Sequence, residues 1–163
     1  MTGLEAFTLF HVVLSLIGIG SGLVVLAGFL NAKLLNRWTA LFLATTVLTS
    51  VTGFLFPFHE FLPSHGVAIV SLIVLAIAIA ALYGRHLAGA WRKAYVITAM
   101  LALYLNVFVL VVQLFRRVPA LKAAAPTQSE PPFVAAQVAV LIVFTLLTVF
   151  AARKFRARSL QKA

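Results

Sequence analysis

The chain has 163 residues, of which 63% are hydrophobic and only 10% are charged, and its mean hydropathy is +1.11. Because soluble domains carry about 25% charged residues, this composition excludes a water-soluble fold and indicates that lipid surrounds most of the chain. The absence of cysteine excludes disulfides, thiolate metal sites and cysteine nucleophiles within these residues.

Five stretches without a charged residue are long enough to cross the hydrocarbon core of a bilayer, which requires about 20 helical residues. They cover residues 7–31, 39–57, 66–84, 94–115 and 133–152. Backbone polar groups in hydrocarbon must be hydrogen-bonded within the protein, and continuous apolar runs of this length achieve this as helices. We therefore predict an all-α integral membrane protein, with residues 1–163 forming a single domain, a five-helix transmembrane bundle.

The first predicted helix, residues 7–31, carries Gly18 and Gly22 one turn apart. This small-xxx-small spacing lets a neighbouring helix approach closely. The residues before it include no basic segment followed by a small-residue cleavage site, so we expect no cleaved signal peptide and a helix that acts as its own anchor.

The second predicted helix, residues 39–57, is rich in hydroxyl groups. Thr45, Thr49 and Thr52 fall on one face at i, i+4 and i+7. Two interpretations remain open. The hydroxyls bond to carbonyls of the preceding turn, or this face lines a polar cavity or contacts a neighbouring helix.

The third predicted helix is rich in alanine, so we expect it to be central or to form an oligomer interface. The fourth, residues 94–115, carries Tyr95, Asn106 and Gln113 at intervals that return to nearly the same face. Asn106 lies near the middle of the bilayer and needs a hydrogen-bond partner, for which Thr49 has a suitable depth.

The connection at residues 116–132 contains four prolines, which stiffen it. Pro131 and Pro132 are compatible only with the first turn of a helix, so they mark where the fifth helix begins. We also expect Glu130 and the preceding polar residues to fold back over the end of the bundle.

Basic residues define the predicted orientation. With the amino terminus outside and the carboxyl terminus in the cytoplasm, ten face the cytoplasm and three face outward, as the positive-inside rule requires. The cytoplasmic ones are Lys33, Arg37, Arg85, Arg92, Lys93, Arg153, Lys154, Arg156, Arg158 and Lys162; the outer ones are Arg116, Arg117 and Lys122. Anionic lipid headgroups on the cytoplasmic side account for the net charge of +10 without nucleic acid. We expect the plasma membrane, in bacteria the inner membrane, as the location.

Four polar residues are predicted at one depth near the outer face: His11, His59, Glu60 and His65. Imidazole and carboxylate ligands suit Zn, Cu, Fe or Ni ions, and two opposed imidazoles, from His11 and His65, suit a haem iron. Such a group can also relay protons, or its members can be ordinary interfacial residues. Their spacing matches no diagnostic metal motif.

The leading functional hypothesis is binding or conduction of a small solute or ion through an outward-facing polar cavity. The predicted ligand-binding residues are Thr45, Thr49, Asn106, Gln113 and Tyr95. The alternatives are a haem- or metal-binding redox subunit and a non-catalytic accessory subunit of a membrane complex. The sequence shows neither a nucleotide motif nor a carboxylate pair inside a span, which favours a non-enzymatic protein, and its small-residue faces predict a homo-oligomer or a membrane-complex partner.

Overall fold

A computed structural model describes residues 2–56 and 63–160, with side chains described over 2–56 and 65–155. This part of the chain contains helices and no strand. The helices are α1 Gly3–Leu30, α2 Asn36–Gly53, α3 Pro63–Ile79, α4 Trp91–Arg117, α5 Pro119–Ala124 and α6 Pro131–Leu160, and α3 continues into a π-helical turn at Ala80–Gly84.

Within the described residues, four helical segments are long and apolar enough to cross a membrane. They are Gly3–Leu30, His65–Gly84, Trp91–Arg117 and Pro131–Phe155. The remaining predicted span, residues 39–57, corresponds to α2, which has only 18 residues and begins with Asn36 and Arg37. At about 1.5 Å per residue α2 is about 27 Å long, slightly shorter than the hydrocarbon core of about 30 Å. The membrane character is thus supported by four helices, and a fifth span stays a prediction.

The helix boundaries follow local capping chemistry more closely than the apolar runs do. α1 begins at Gly3, before the apolar run, because Thr2 and Glu5 form a capping box in which each side chain accepts a hydrogen bond from the other residue's backbone N–H. α6 begins at Pro131, as predicted from the two consecutive prolines. Both helices therefore begin a few residues before the uncharged stretches predicted to cross the membrane.

The helix at the centre of the bundle is α4, which packs against α1, α3, α5 and α6, while α2 packs between α1 and α3. The third helix was expected to be central or to form an oligomer interface, and it is not central. α3 contacts α2 and α4 on one side and exposes Ile69 and Ile73 on the other, so an oligomer interface there stays a prediction. The central position suits α4 because its buried face includes Ala99 and Ala102, whose small side chains allow close helix packing.

The predicted small-residue face of α1 lies against α2 and α4. A Cβ added at Gly22 would be 2.6 Å from Leu103 Cδ1 and 2.9 Å from Phe42 Cε2, so side chains of both helices occupy the space over this glycine. The prediction that this face packs against a neighbouring helix is met, but side chains of Leu103 and Phe42, and not a second backbone, lie over Gly22.

An aromatic cluster joins α1, α4 and α6 at the end that the charge pattern predicts to be cytoplasmic. The ring of Phe29 lies edge-on to Tyr95 at 5.5 Å between centroids and packs on Phe155 at 5.2 Å. All three side chains are buried. This cluster anchors the otherwise peripheral α6 to the bundle, because buried edge-to-face aromatic pairs combine apolar burial with favourable ring electrostatics.

Candidate functional site

A set of buried hydroxyl groups runs along α2, on the sides that face α1, α3 and α4. We call it the α2 polar seam, and it consists of Thr39, Thr45, Thr46, Ser50 and Thr52. It extends about 20 Å at a rise of about 1.5 Å per residue. A polar line of this length inside an apolar bundle is the most unusual feature of the described structure, because buried hydroxyls are costly unless they find hydrogen-bond partners.

The middle of the seam is a contact between three helices. Asn106 Nδ2 on α4 donates a hydrogen bond to Thr46 Oγ1 at 3.3 Å. On the α1 side, a Cβ added at Gly18 would lie 3.2 Å from Thr46 Oγ1, 3.3 Å from Thr45 Oγ1 and 3.5 Å from Asn106 Nδ2. Glycine at position 18 therefore leaves just enough room for α1 to close over the polar groups.

Thr49, the partner expected for Asn106, has a different role. Its hydroxyl donates to Thr45 O at 2.8 Å, and its side chain is half-buried. Thr46 is fully buried and bonds to Asn106 instead. Asn106 therefore bonds to a threonine of the second helix, as expected, but this threonine is Thr46 and not Thr49. The rotation of α2 about its axis places Thr46 toward α4.

Most seam hydroxyls also bond to their own helix. Thr45 Oγ1 donates to Leu41 O at 2.7 Å, and Thr52 Oγ1 donates to Leu48 O at 2.7 Å. This confirms the simpler of the two interpretations for these residues. Ser50 Oγ lies 3.0 Å from Thr46 O and also 3.1 Å from Ser71 Oγ on α3, so it joins two helices as well.

His11 forms one end of the seam, at the side predicted to face outward. Its Nδ1 lies 2.8 Å from Thr52 Oγ1. Since the single proton of the Thr52 hydroxyl is directed at Leu48 O, the hydroxyl accepts from Nδ1–H. This tautomer leaves Nε2 as a proton acceptor or metal ligand. Phe56 packs edge-on to the imidazole, with 5.1 Å between ring centroids, and fixes its orientation.

The other predicted metal ligands are only partly described. His65 is buried on α3, with its ring 5.8 Å from that of Phe54, whereas His59 and Glu60 lie outside the described residues. Over the described ranges 2–56 and 63–160, no three His, Asp or Glu residues are grouped so that they could hold a metal ion. A site that includes positions 59 and 60 stays a prediction, which metal analysis and a visible spectrum of the purified protein would test.

At the opposite end of the seam, two buried hydroxyls have no well-formed hydrogen bond within the described part of the chain. Tyr95 is 0% and Thr39 is 1% exposed, and neither Tyr95 Oη nor Thr39 Oγ1 makes a bond of good geometry there. The two hydroxyls face each other across α2 and α4, closely enough for a weak Thr39–Tyr95 hydrogen bond. Since an unsatisfied buried hydroxyl costs about 1–3 kcal/mol, a water or a polar solute would gain hydrogen bonds here.

The remaining carboxamides lie away from the seam. Gln113 is exposed. Gln137, which the sequence analysis did not select, donates from Nε2 to Phe108 O at 3.2 Å and has a buried Oε1 without a partner among the described residues. Thr39 was also missed, because it directly follows Arg37 and Trp38 at the edge of an apolar run.

Tyr95→Phe tests whether the Tyr95 hydroxyl is unpaired. We expect the free energy of unfolding of this variant to equal that of the wild type or to exceed it by up to about 1 kcal/mol. The reason is that the substitution removes a buried hydroxyl that has no well-formed hydrogen bond. The measurement is denaturant unfolding in mixed micelles, with Tyr104→Phe, a half-buried tyrosine of the same helix, as the control. A loss above about 1 kcal/mol for Tyr95→Phe alone would reveal a hydrogen-bond partner of this hydroxyl.

Comparison of the chain with protein-family models, with curated proteins and with solved structures found no match. The four apolar helices are compatible with a membrane protein, and they do not by themselves specify what it does. The polar groups that the bundle buries are the features that bear on its function.

Proposed function

We propose that this is a multi-pass membrane protein that binds or conducts a small polar solute or ion along the α2 polar seam. The observation that carries the proposal is the length of the seam. Polar groups, half-buried at His11 and buried beyond it, extend from His11 and Thr52 at one end, past Asn106, to Thr39 and Tyr95 at the other. They are contributed by every helix that packs around α2, and they provide successive sites for a hydrogen-bonding species.

Both ends of the seam retain capacity for a ligand. At one end, the hydrogen bond to Thr52 leaves Nε2 of His11 as an acceptor. At the other end, the Tyr95 and Thr39 hydroxyls have at most each other as partners among the described residues, so free hydrogen-bonding positions remain. A structural role alone would not need these free positions, so they favour transient binding of a solute or of water.

The proposed topology places α2 across the membrane as the fifth span. The amino terminus lies outside and the carboxyl terminus in the cytoplasm, as the ten basic residues on one side and three on the other favour. In this orientation His11 is at the outer entrance and Tyr95 near the cytoplasmic exit. The same charge distribution supports placement in the plasma membrane.

Flux through reconstituted vesicles tests the proposal. The probes are protons, followed with a trapped pH-sensitive dye under an imposed potential, and urea and glycerol, followed by osmotic volume change. We expect Asn106→Ala and Thr46→Val each to reduce the flux of the conducted species at least tenfold, because both remove polar groups from the middle of the seam. Thr98→Val is the control, since Thr98 bonds only to carbonyls of its own helix, α4, at 2.8 and 3.2 Å.

Two results would remove the proposal. The first is a wild-type flux of all three probes no greater than that of empty vesicles. The second is equal flux in wild type, Asn106→Ala and Thr46→Val once the amount of folded protein in the vesicles has been matched. Equal losses in these variants and in Thr98→Val would also count against it, because the effect would then not depend on the seam.

One observation favours an alternative, a non-catalytic accessory subunit of a membrane complex. Asn106 and Ser50 both join helices through their side-chain hydrogen bonds, and interhelical bonds of this kind stabilise membrane bundles by about 0.6 kcal/mol on average. In this alternative, the buried polar side chains serve to hold the helices together and do not bind a solute. Co-purification of a stoichiometric membrane partner, together with absent flux, would support this alternative.

A further inference from the structure

A separate cationic pocket lies at the connection between α4 and α6, away from the seam. It has a volume of about 410 Å³ and is lined by Phe115, Arg116, Lys122, Pro126, Thr127 and Gln128. Ligand-binding clefts usually have volumes of about 300–1,000 Å³. The pocket is therefore large enough for a small anion or for a lipid headgroup.

Packing around the pocket holds its shape. Phe115 is buried and lies edge-on to Phe133 at 5.3 Å between ring centroids, which forms an apolar floor. The short helix α5 turns the chain so that Lys122 returns to the side of Arg116. On the rim, Gln128 Nε2 donates to Val112 O at 3.0 Å and ties the connection to the end of α4.

The pocket is positively charged, and none of its lining residues is acidic. Glu130, the one acid of residues 116–132, uses its carboxylate locally: it accepts from the Thr127 hydroxyl at 2.8 Å, from Thr127 N–H at 3.0 Å and from Ser129 N–H at 3.1 Å. Slight desolvation alone would raise the pKa of Glu130, and these hydrogen bonds outweigh it and hold the pKa below its usual value. The ionised carboxylate of Glu130 is therefore held by hydrogen bonds to Thr127 and Ser129.

The position of the pocket along α4 selects a ligand class. Arg116 directly follows the apolar run 94–115, which places the pocket at the depth of the lipid headgroups. An arginine guanidinium binds phosphate oxygens through two parallel hydrogen bonds, and a lysine adds a compact charge from the opposite side. Phosphate is present at this depth in every phospholipid.

We propose that Arg116 and Lys122 bind a phosphate group in this pocket, carried by a phospholipid headgroup or by a soluble phosphate compound. The proposal is independent of conduction along the seam, because the pocket residues and the seam residues do not overlap. It assigns a binding role to two of the three basic residues that the predicted orientation leaves on the outer face.

Two binding measurements distinguish the sources of phosphate. In the first, native mass spectrometry counts phosphatidylglycerol retained by the purified full-length protein, against diacylglycerol with the same acyl chains and no phosphate. In the second, equilibrium dialysis measures binding of radiolabelled inorganic phosphate to the protein in a phosphate-free, uncharged detergent. The variants are Arg116→Gln and Lys122→Gln. The matched control is Arg117→Gln, an exposed neighbouring arginine that does not line the pocket.

We expect each pocket variant to weaken binding about fivefold, as loss of one basic residue near a membrane surface predicts, and the control to weaken it less than twofold. A selective loss of phosphatidylglycerol assigns the site to a lipid, and a selective loss of labelled phosphate assigns it to a soluble compound. Equal effects of Arg116→Gln and Arg117→Gln, or no binding to the wild type in either measurement, overturn the proposal.

Discussion

Gly22→Ala is expected to lower the free energy of unfolding by about 1–3 kcal/mol, the usual cost of adding a methyl group to a well-packed core. The added Cβ would lie 2.6 Å from Leu103 Cδ1 and 2.9 Å from Phe42 Cε2, both far inside van der Waals contact. Leu103 and Phe42 are themselves 1% exposed, so neither has free space into which it can move. Unfolding in mixed micelles measures the effect.

Gly20→Ala is the matched control for this prediction. Gly20 lies on the exposed side of α1, and an added Cβ there meets no atom within 4 Å. We expect this variant to be as stable as the wild type or up to about 1 kcal/mol more stable, since alanine favours the helical backbone over glycine. If both variants have the same stability, α1 does not pack on α2 and α4 through Gly22 and the arrangement of the bundle is wrong.

Asn106→Asp is expected to destabilise the protein by about 3 kcal/mol at neutral pH, the cost of a carboxylate at the centre of a membrane helix. Asn106 is buried midway along α4, and its Nδ2 donates to Thr46. The substituted carboxylate cannot donate this bond.

Gln113→Glu makes the same chemical change on the same helix at an exposed position, and we expect it to change stability by less than about 1 kcal/mol. Protonation removes the charge, so the difference between Asn106→Asp and the wild type should narrow as the pH falls. Unfolding measured across a range of acidic to neutral pH checks both expectations. Equal, small effects of the two substitutions would show that Asn106 is accessible to water.

The sequence predicted well how far along each helix the polar residues of the candidate site lie. It predicted less well which side of the helix they face. It selected Thr45, Asn106 and Tyr95, which the fold brings to the α2 seam, and it placed Asn106 beside a threonine of the second helix. It chose Thr49 over Thr46 and included Gln113, which is exposed. Depth follows from counting residues along a helix, whereas direction depends on how each helix is rotated against its neighbours.

The hydrogen bonds of α2 also differ in how far they could be predicted from the sequence. The hydroxyl-rich composition predicted bonds to the preceding turn, and Thr45 and Thr52 make them, because this interaction needs only the residue's own helix. The bond from His11 to Thr52 and the contact of Thr39 with Tyr95 join residues far apart in the chain. No local pattern in the sequence signals either pair.

The sequence by itself determined that this protein is helical and built for lipid, that its last helix begins at Pro131, and which face of α1 must stay small. These properties depend on composition, prolines and glycine spacing, which act over a few neighbouring residues. Only the tertiary structure decided that α4 occupies the centre, that Thr46 meets Asn106 and that Arg116 and Lys122 share a pocket. Apolar helices in lipid have no strong hydrophobic preference for one partner, so packing shape and a few polar contacts select the arrangement.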